Sequence, residues 1–362
     1  MVKRRRLGPR GPMVRRTAIA SAAVAVVLLV ALGVTLAMKH SGRDTKSATS
    51  ANPSVLSSAL ASQSASPSQK PAHAVPAYDP ALHNCGAQPH VCGYPDATNT
   101  GVPAGTHLLS VPGQISHGPG WYYDTGGWVE VDGNGAVLQG LSIPYNVDVT
   151  GSNVTIKDVK VIATADDFGV SLRHTHNVTV EDSDIYSTSA GANLLTVGVK
   201  DIYGDATGTR VLGNNIWHTS TGVQIYTGLI EGNYIHDMGY ADGDHLNGIT
   251  TNGGIDALTI EHNTVFNSFG QTDAISVFED FGVEANVLIS GNLVAGGGYT
   301  VYGGQNPGGP QAYNIRIVNN RFSTIYYSQA GYYGPVSDFD PGAPGNVWSG
   351  NIWDTTGESI SS

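Results

Sequence analysis

Titratable side chains are densest in one short part of the sequence. Asp242, Asp244 and His245 lie within four residues of one another, and Asp273 follows 29 residues after Asp244. Inverting hydrolysis of a glycosidic bond needs an acid that protonates the leaving oxygen and a base that activates water, about 6.5 to 9.5 Å apart. We therefore predict Asp273 as the proton donor and Asp244 or His245 as the base. The alternative interpretation is that these carboxylates cap turns and solubilise a loop.

A repeat determines where these residues lie. An apolar residue at i, usually Asn at i+3 and an apolar residue at i+5 recur eight times, at intervals of 19 to 31 residues. The residues at i are Ile156, Val180, Val211, Ile230, Ile260, Ile289, Ile317 and Trp348. The residues at i+3 are Val159, Ser183, Asn214, Asn233, Asn263, Asn292, Asn320 and Asn351. A period of this length indicates stacked supersecondary units.

Each unit consists of strands and turns. β-Branched runs such as VTIKDV and VLISGN alternate with Gly, Asn, Asp and Ser, and no helical period is present. The repeat therefore predicts a parallel β-helix, in which each strand pairs with its counterpart one rung away at roughly 4.8 Å. The recurring Asn residues are predicted to stack at a shared bend and to pass amide hydrogen bonds from rung to rung.

A second strand in each rung is predicted to carry the binding groups. Its apolar residues are Val170, Val223, Ile249, Ile275 and Val301. Two positions earlier lie Phe168, Thr221, Asn247, Asp273 and Tyr299, and one position later lie Ser171, Gln224, Thr250, Ser276 and Tyr302. Gly169, Gly222 and Gly248 would allow a bend that turns the earlier column outward. We predict that Gln224, Tyr226 and Asn247 hold substrate, with Arg173 as the basic residue best placed on this surface.

The charge of the chain limits its partners. From residue 80 onward there are seven basic and 27 acidic residues, a net charge of −20. Nucleic acid is disfavoured because no basic stripe is present. A polyanion would be repelled unless metal ions bridged it. No cofactor is required and no metal ligands are assigned; Ca²⁺ is an option at Asp166 with Asp167 or at Asp242 with Asp244.

The N-terminal segments predict export. Residues 1–16 are basic, 17–38 are uncharged and mostly apolar, 39–80 are rich in Ser, Ala and Pro, and 81–362 hold the repeats. The apolar run is long enough for a transmembrane anchor with the N-terminus in the cytoplasm, although a cleaved signal sequence is the alternative. The third segment is predicted to be a disordered linker. The expected location is the cell membrane, single-pass with an extracellular C-terminal domain, or alternatively the secreted fraction.

The two cysteines are expected to pair. Cys85 and Cys92 are the only cysteines, and in an exported chain a small disulfide loop is the natural interpretation. The first rungs of a β-stack also need cover, since an open end would template aggregation. We predict that either this disulfide segment or the WYYD stretch at residues 121–124 provides it.

A family resemblance extends over roughly residues 85–357. It is carried by the segments CGYPDATNTGVPAG and LVAGGGYTVYGG and by the repeats between and after them. The chain resembles secreted right-handed parallel β-helix proteins of the pectate-lyase-like superfamily, of the kind common in actinobacteria. The resemblance implies an all-β fold class, a right-handed parallel β-helix (single-stranded solenoid). Polygalacturonase-type hydrolases of this fold carry a catalytic Asp before Gly-Ile; the matching residue here is Asn247, which departs from that pattern. The superfamily's lyases use Arg or Lys as a base, often with Ca²⁺.

Three functions follow as hypotheses. The first is an exported cell-surface protein, expected to be a monomer, that binds and cleaves extracellular polysaccharide as a glycoside hydrolase. The second is a non-catalytic module that binds glycan or cell-wall polymer. The third is a Ca²⁺-assisted polysaccharide lyase that uses Arg173.

Overall fold

The computed structural model describes residues 81–163, 167–191 and 194–362. The predicted basic segment 1–16, the anchor or signal sequence 17–38, the linker 39–80 and the candidate Ca²⁺ ligand Asp166 lie outside the described residues. Within them, no helix combines the length and apolar character needed to cross a bilayer.

The described chain is built almost entirely from short strands, after two 3-10 turns at Cys85–Ala87 and Pro89–Cys92. The first ten strands are β1 Leu109–Ser110, β2 His117–Gly118, β3 Trp121–Asp124, β4 Trp128–Val131, β5 Val137–Gln139, β6 Leu141–Ile143, β7 Asn146–Val149, β8 Thr155–Lys157, β9 Lys160–Ala163 and β10 Phe168–Leu172. The next ten are β11 Thr179–Glu181, β12 Asp184–Ser187, β13 Leu195–Asp201, β14 Arg210–Leu212, β15 Asn215–Trp217, β16 Thr219–Gln224, β17 Gly228–Glu231, β18 Tyr234–His236, β19 Asn247–Asn252 and β20 Leu258–Glu261. The last ten are β21 Thr264–Asn267, β22 Asp273–Phe278, β23 Ala285–Ser290, β24 Leu293–Gly296, β25 Tyr299–Gly303, β26 Tyr313–Val318, β27 Arg321–Phe322, β28 Gly334–Ser337, β29 Val347–Ser349 and β30 Ile352–Trp353.

These strands form three sheets of nine, ten and eleven strands, and every third strand joins the same sheet. One turn runs through the nine-stranded sheet, the ten-stranded sheet and then the eleven-stranded sheet, as β17, β18 and β19 do. In the described residues the strands of successive rungs pair in parallel, whereas the β2–β3–β4 hairpins at the start and an isolated bridge between Ile352 and Ser359 are antiparallel. The predicted all-β class and the parallel β-solenoid are therefore confirmed.

The predicted register between rungs is also confirmed. The anchors from Ile156 to Trp348 are direct Cα partners in the nine-stranded sheet, and Leu138 of β5 adds one rung before them. The residue five positions after each anchor lies in the ten-stranded sheet, as Ile235 does after Ile230. The Asn between them therefore occupies the corner at which the chain passes from one sheet to the next.

The predicted Asn ladder forms at this corner. The side chains of Asn214, Asn233, Asn263, Asn292, Asn320 and Asn351 are buried, and each Nδ2 of the first five donates to the Oδ1 of the next Asn at 2.9 to 3.0 Å. Each of these Oδ1 atoms also accepts the backbone N–H of the preceding Asn, and each Nδ2 donates to a backbone carbonyl. The ladder thus satisfies buried backbone groups that would otherwise lack partners.

Glycines in the eleven-stranded sheet allow that sheet to pack against the ten-stranded sheet. A Cβ on Gly222 would lie 2.6 Å from the side chain of Ile235, and a Cβ on Gly248 would lie 2.2 Å from Val265. These positions therefore point into the core, so the residue before each of them points outward. The outward turn predicted for the column that holds Asn247 and Asp273 follows from this packing requirement.

The N-terminal strap, residues 84–109, runs along the solenoid from its last rung to its first. The backbone N–H groups of Cys85 and Gly86 donate to the carboxylate of Asp354 at 3.0 and 2.8 Å. Further along, the N–H of Gly101 donates to the carbonyl of Gly213, and β1 pairs with β6. The strap direction is therefore opposite to the order of the rungs.

The predicted disulfide between Cys85 and Cys92 is present, with the two Cα atoms 5.6 Å apart. It lies beside the last rungs, because Gly86 packs against Ser323. Cover for the first rungs comes instead from residues 121–124, which form β3 and pair with β4. The alternative in which the disulfide segment caps the first rungs is therefore wrong, because the strap reaches the first rung only at β1.

Candidate functional site

The outer face of the eleven-stranded sheet carries an unbroken column of polar side chains, one position after the core anchors of each strand. This polar column consists of Glu130, Asp148, Ser171, Lys200, Gln224, Thr250, Ser276, Tyr302 and Ser337, each the Cα partner of the next. Its longer side chains are half-exposed, whereas Ser171, Thr250 and Ser276 are buried between their neighbours. Ser276 donates to the hydroxyl of Thr250 at 2.9 Å.

A second column lies three positions earlier on the same face. It contains Phe168, Val197, Thr221, Asn247 and Asp273 as direct partners, followed by Tyr299 in the same register. The Nδ2 of Asn247 lies 3.4 Å from the hydroxyl of Thr221. The structure therefore brings Asn247 and Asp273 together on adjacent rungs, with Gln224 and Thr250 beside them.

The carboxyl group of Asp273 is fully buried although its column faces outward. Neither carboxyl oxygen makes a hydrogen bond of standard geometry within the described chain, and the pKa of Asp273 is raised well above the ordinary value by burial, which the nearby Ser276 hydroxyl only partly offsets. Its backbone is held by the carbonyl of Leu246 and by the side chain of Asn267. Burial of this kind keeps a carboxylic acid protonated at neutral pH, which is the state that a proton donor requires.

Asp244 and His245 lie in the loop before β19, next to the segment that leads into β22. The carboxylate of Asp244 accepts hydrogen bonds from the Ser220 hydroxyl at 2.8 Å and from the N–H of Ala241 at 3.1 Å. Gln271 donates to the backbone carbonyl of Asp244. His245 is exposed to solvent. Asp244 thus acts as a cap of its own loop in this structure, whereas His245 is accessible at the surface.

Lys200 and Gln224 form a pair in the middle of the polar column. The ammonium group of Lys200 donates to Oε1 of Gln224 and lies 5.3 Å from the centre of the Phe168 ring. Burial lowers the pKa of Lys200, an effect that the negative charge of Asp201 partly opposes. A lysine with a lowered pKa is more readily available as a base than an ordinary surface lysine.

Tyr226 lies where the chain leaves β16 towards the nine-stranded sheet. Burial raises the pKa of its hydroxyl, and the charges of Asp201 and Glu284 add to the effect. A Cβ on Gly204 would lie 3.5 Å from the Tyr226 ring. Tyr226 is therefore a half-buried, neutral phenol at the side of the polar column.

Arg173, which was predicted as the basic residue best placed on this surface, forms an ion pair with a neighbouring carboxylate. Its Nε donates to the carboxylate of Asp148 at 2.6 Å, and this contact is the main reason for the raised pKa of the guanidinium. The charge of Arg173 is therefore compensated by Asp148, a member of the polar column. Lys200, in contrast, is itself a member of the column. The sequence contained a signal for Lys200, since Gly198-Val199 repeats the Gly-apolar pair of Gly222-Val223.

Aromatic rings cover one end of this face. The aromatic belt consists of Phe278, Tyr302, Tyr299, Tyr333, Tyr332 and Tyr327, each in contact with the next at centroid distances of 4.8 to 5.7 Å. Tyr332 is 54% exposed and Tyr333 is 60% exposed. Burial and the neighbouring Asp273 charge raise the pKa of Tyr302 to about 12. The belt thus passes through the polar column at Tyr302, adjoins Asp273 and reaches solvent at Tyr332 and Tyr333.

Two of the predicted Ca²⁺ ligands, Asp167 and Asp244, accept hydrogen bonds within the protein. Asp167 accepts hydrogen bonds from Asn146 and from the N–H of Phe168, and Asp244 is occupied as described above. No group of three acidic, histidine or cysteine side chains in the described ranges is arranged to hold a metal ion.

Comparison with known protein families gives no match for this chain, and comparison with curated proteins likewise gives none. The functional argument therefore depends on the geometry of the eleven-stranded sheet.

Proposed function

We propose that this solenoid binds extracellular polysaccharide along the outer face of its eleven-stranded sheet and cleaves it by hydrolysis. The polar column carries the proposal: nine polar side chains follow one another over eight rung spacings, roughly 38 Å at about 4.8 Å per spacing. A straight surface of this length suits an extended polymer better than a small molecule. Hydroxyls, amides and aromatic rings on one face are the groups that carbohydrate recognition needs.

In the proposed reaction, Asp273 donates a proton to the leaving glycosidic oxygen. Its burial and raised pKa support this role, since a general acid must be protonated at the working pH. Water is activated by Asp244 or His245 in the adjacent loop, and Gln224, Tyr226 and Asn247 hold the sugar. Because Asp273 is fully covered, the polymer reaches it only when the side chains above it move apart.

Two other functions have support from particular observations. Complete burial of Asp273 and the amide of Asn247 on the adjacent rung both favour a non-catalytic glycan-binding module. The lowered pKa of Lys200 within the polar column favours a polysaccharide lyase in which Lys200, rather than Arg173, removes the proton.

One experiment separates these functions. The full-length protein is incubated with a panel of polysaccharides while binding, new reducing ends and the absorbance of unsaturated uronates are followed. We expect new reducing ends without unsaturated products, and we expect Asp273→Asn to lower the rate by about 10²-fold or more. Asp256→Asn changes an exposed carboxylate in the loop before β20. It serves as the control and should leave the cleavage rate unchanged.

The other outcomes each contradict part of the proposal. Unsaturated products would support the lyase, and binding without cleavage would support the module. Unchanged cleavage by Asp273→Asn would remove Asp273 from the mechanism, and failure to bind any polysaccharide would refute the function as a whole.

A further inference from the structure

We propose that the polymer bound by the eleven-stranded sheet is uncharged: a neutral polysaccharide whose apolar ring faces pack on the aromatic belt. This inference rests on the proposed function and specifies its substrate class. Two observations support it: the positions of the few Lys and Arg side chains in the described domain, and the aromatic belt beside the polar column.

Most basic side chains of the described domain are unavailable to a polyanion on this face. Lys157 pairs with Glu181 in the nine-stranded sheet, and Lys160 pairs with Asp184 in the ten-stranded sheet. Arg321 is buried beside Asp354. Arg210 and Arg316 are exposed, but they belong to β14 and β26 of the nine-stranded sheet.

The two basic residues of this face are Arg173, which is ion-paired, and Lys200, which is half-buried. Arg173 is bound to Asp148, and Lys200 is half-buried and donates to Gln224. The polar column contains Glu130 and Asp148 beside its single lysine, and Asp148 is already paired with Arg173, so this face carries no excess of positive charge. From residue 80 onward the chain has a net charge of −20, so a carboxylate or sulfate on every sugar would meet repulsion that no excess of cations on this face offsets, and no group of metal ligands in the described residues bridges it.

The aromatic belt supplies what a neutral sugar requires. Tyr332 and Tyr333 offer exposed rings at its outer end, and Tyr299 and Tyr302 continue the belt to the polar column. Aromatic side chains combine a large apolar surface with a hydroxyl at the edge, which matches a pyranose that has CH groups on its faces and hydroxyls around its rim. Burial of this apolar area does not depend on charge.

The test uses pairs of polymers that share a backbone and differ in charge. Binding of the full-length protein is measured to hydroxyethyl cellulose and carboxymethyl cellulose, to galactan and polygalacturonate, and to dextran and dextran sulfate. Each pair is measured at low and high salt, with Ca²⁺ or with a chelator. In every pair that binds, we expect the neutral member to bind at least tenfold more tightly, with little change on adding salt or chelator.

Variants connect this preference to the belt. Tyr333→Ala should weaken binding of the neutral polymer by tenfold or more, whereas Tyr313→Ala, which removes an exposed ring from the nine-stranded sheet, should leave it unchanged. Tighter binding of the anionic member, or binding that the chelator abolishes, would overturn the inference while leaving polysaccharide binding intact. Failure of all six polymers to bind would instead count against the proposed function itself, and the inference would fail with it.

Discussion

At the residue scale, the carboxyl groups buried in the solenoid have different roles according to their partners. Glu284 is fully buried at the corner between the eleven-stranded and nine-stranded sheets, where it accepts the N–H of Gly253 at 2.7 Å. Its other oxygen, Oε1, has no hydrogen-bond partner in the described chain. Burial is the main cause that raises the pKa of Glu284 from 4.5 to about 8, and the charge of Glu279 adds to it.

The raised pKa of Glu284 predicts a pH dependence of stability. Between about 4.5 and 8 the folded state holds a proton that the unfolded state has released, so the free energy of unfolding falls as pH rises. The fall should approach about 1.4 kcal/mol per pH unit within this window. Glu284→Gln, which cannot ionise, should flatten the curve and leave the variant more stable than the natural protein at pH 8.5 or above.

Denaturant unfolding at a series of pH values measures this effect. Glu261→Gln, at a half-exposed position of β20, is the matched control and should retain the natural slope. Equal slopes for the natural protein and Glu284→Gln would show that Glu284 does not titrate in this range.

The column position of Asp273 was predictable from the sequence, but its burial was not. Counting from the core anchors places Asp273 beside Asn247, and the structure has the same register. Its burial depends on side chains from later rungs and loops, such as Tyr302, which no local spacing brings into contact. Glu284 escaped prediction for a similar reason, since its partners Thr251 and Gly253 come from the preceding rung.

At the scale of elements, the Asn ladder determines how the nine-stranded and ten-stranded sheets meet. Asn263 is the clearest case, because its Nδ2 donates to the carbonyls of Ile230 and Glu261 and to Oδ1 of Asn292. Its Oδ1 accepts both the N–H and the side-chain amide of Asn233. One side chain thus satisfies buried groups on three consecutive rungs.

Asn263→Ala is expected to destabilise the solenoid by about 3 to 5 kcal/mol, since several buried groups lose their partners at about 1 to 3 kcal/mol each. Asn263→Ser should cost less, because Ser183 occupies the same position in an earlier rung and its hydroxyl accepts the N–H of Val159. Thermal or denaturant unfolding of both variants measures the difference. An equal loss for Ala and Ser would show that the lost volume, and not the hydrogen bonds, determines the stability.

The elements themselves were largely predictable, because a solenoid repeats the same local requirements in every turn. The eight anchors are in register, and six Asn residues form the ladder. The second strand of the rung anchored by Val180, β13, was left out of the predicted column, although Gly198-Val199 repeats the Gly-apolar pair of Gly222-Val223 and Val197 pairs with Thr221. Lys200 was lost with that strand, and so the predicted polar surface lacked its only lysine.

At the scale of the whole molecule, the N-terminal strap connects the two ends of the solenoid. Asp354 is fully buried, accepts the N–H groups of Cys85 and Gly86, and faces Arg321 at 3.6 Å. Arg321 in turn donates to the carbonyl of Leu82. The sequence predicted the disulfide between Cys85 and Cys92. The hydrogen bond from Cys85 to Asp354 was not predictable, because no local pattern relates residues more than 260 positions apart.

Asp354→Ala should release the start of the strap. It removes the shared acceptor of two buried N–H groups and the carboxylate beside Arg321, so we expect a loss of about 3 to 5 kcal/mol. Amide hydrogen exchange should increase first at residues 84–94 and remain slow in the central rungs. Asp280→Ala, at an exposed position, is the control, and unchanged exchange over residues 84–94 in Asp354→Ala would refute this role.

The strap also has a consequence for biosynthesis. Each new rung finds its pairing partner in the rung made just before it, whereas residues 85 and 86 leave the ribosome about 270 residues before Asp354 does. Since the strap starts at the last rung, its final contacts form only after the chain is nearly complete. A nascent chain released early would therefore hold stacked coils with a loose leading segment, a state that proteases can recognise and the finished protein does not present.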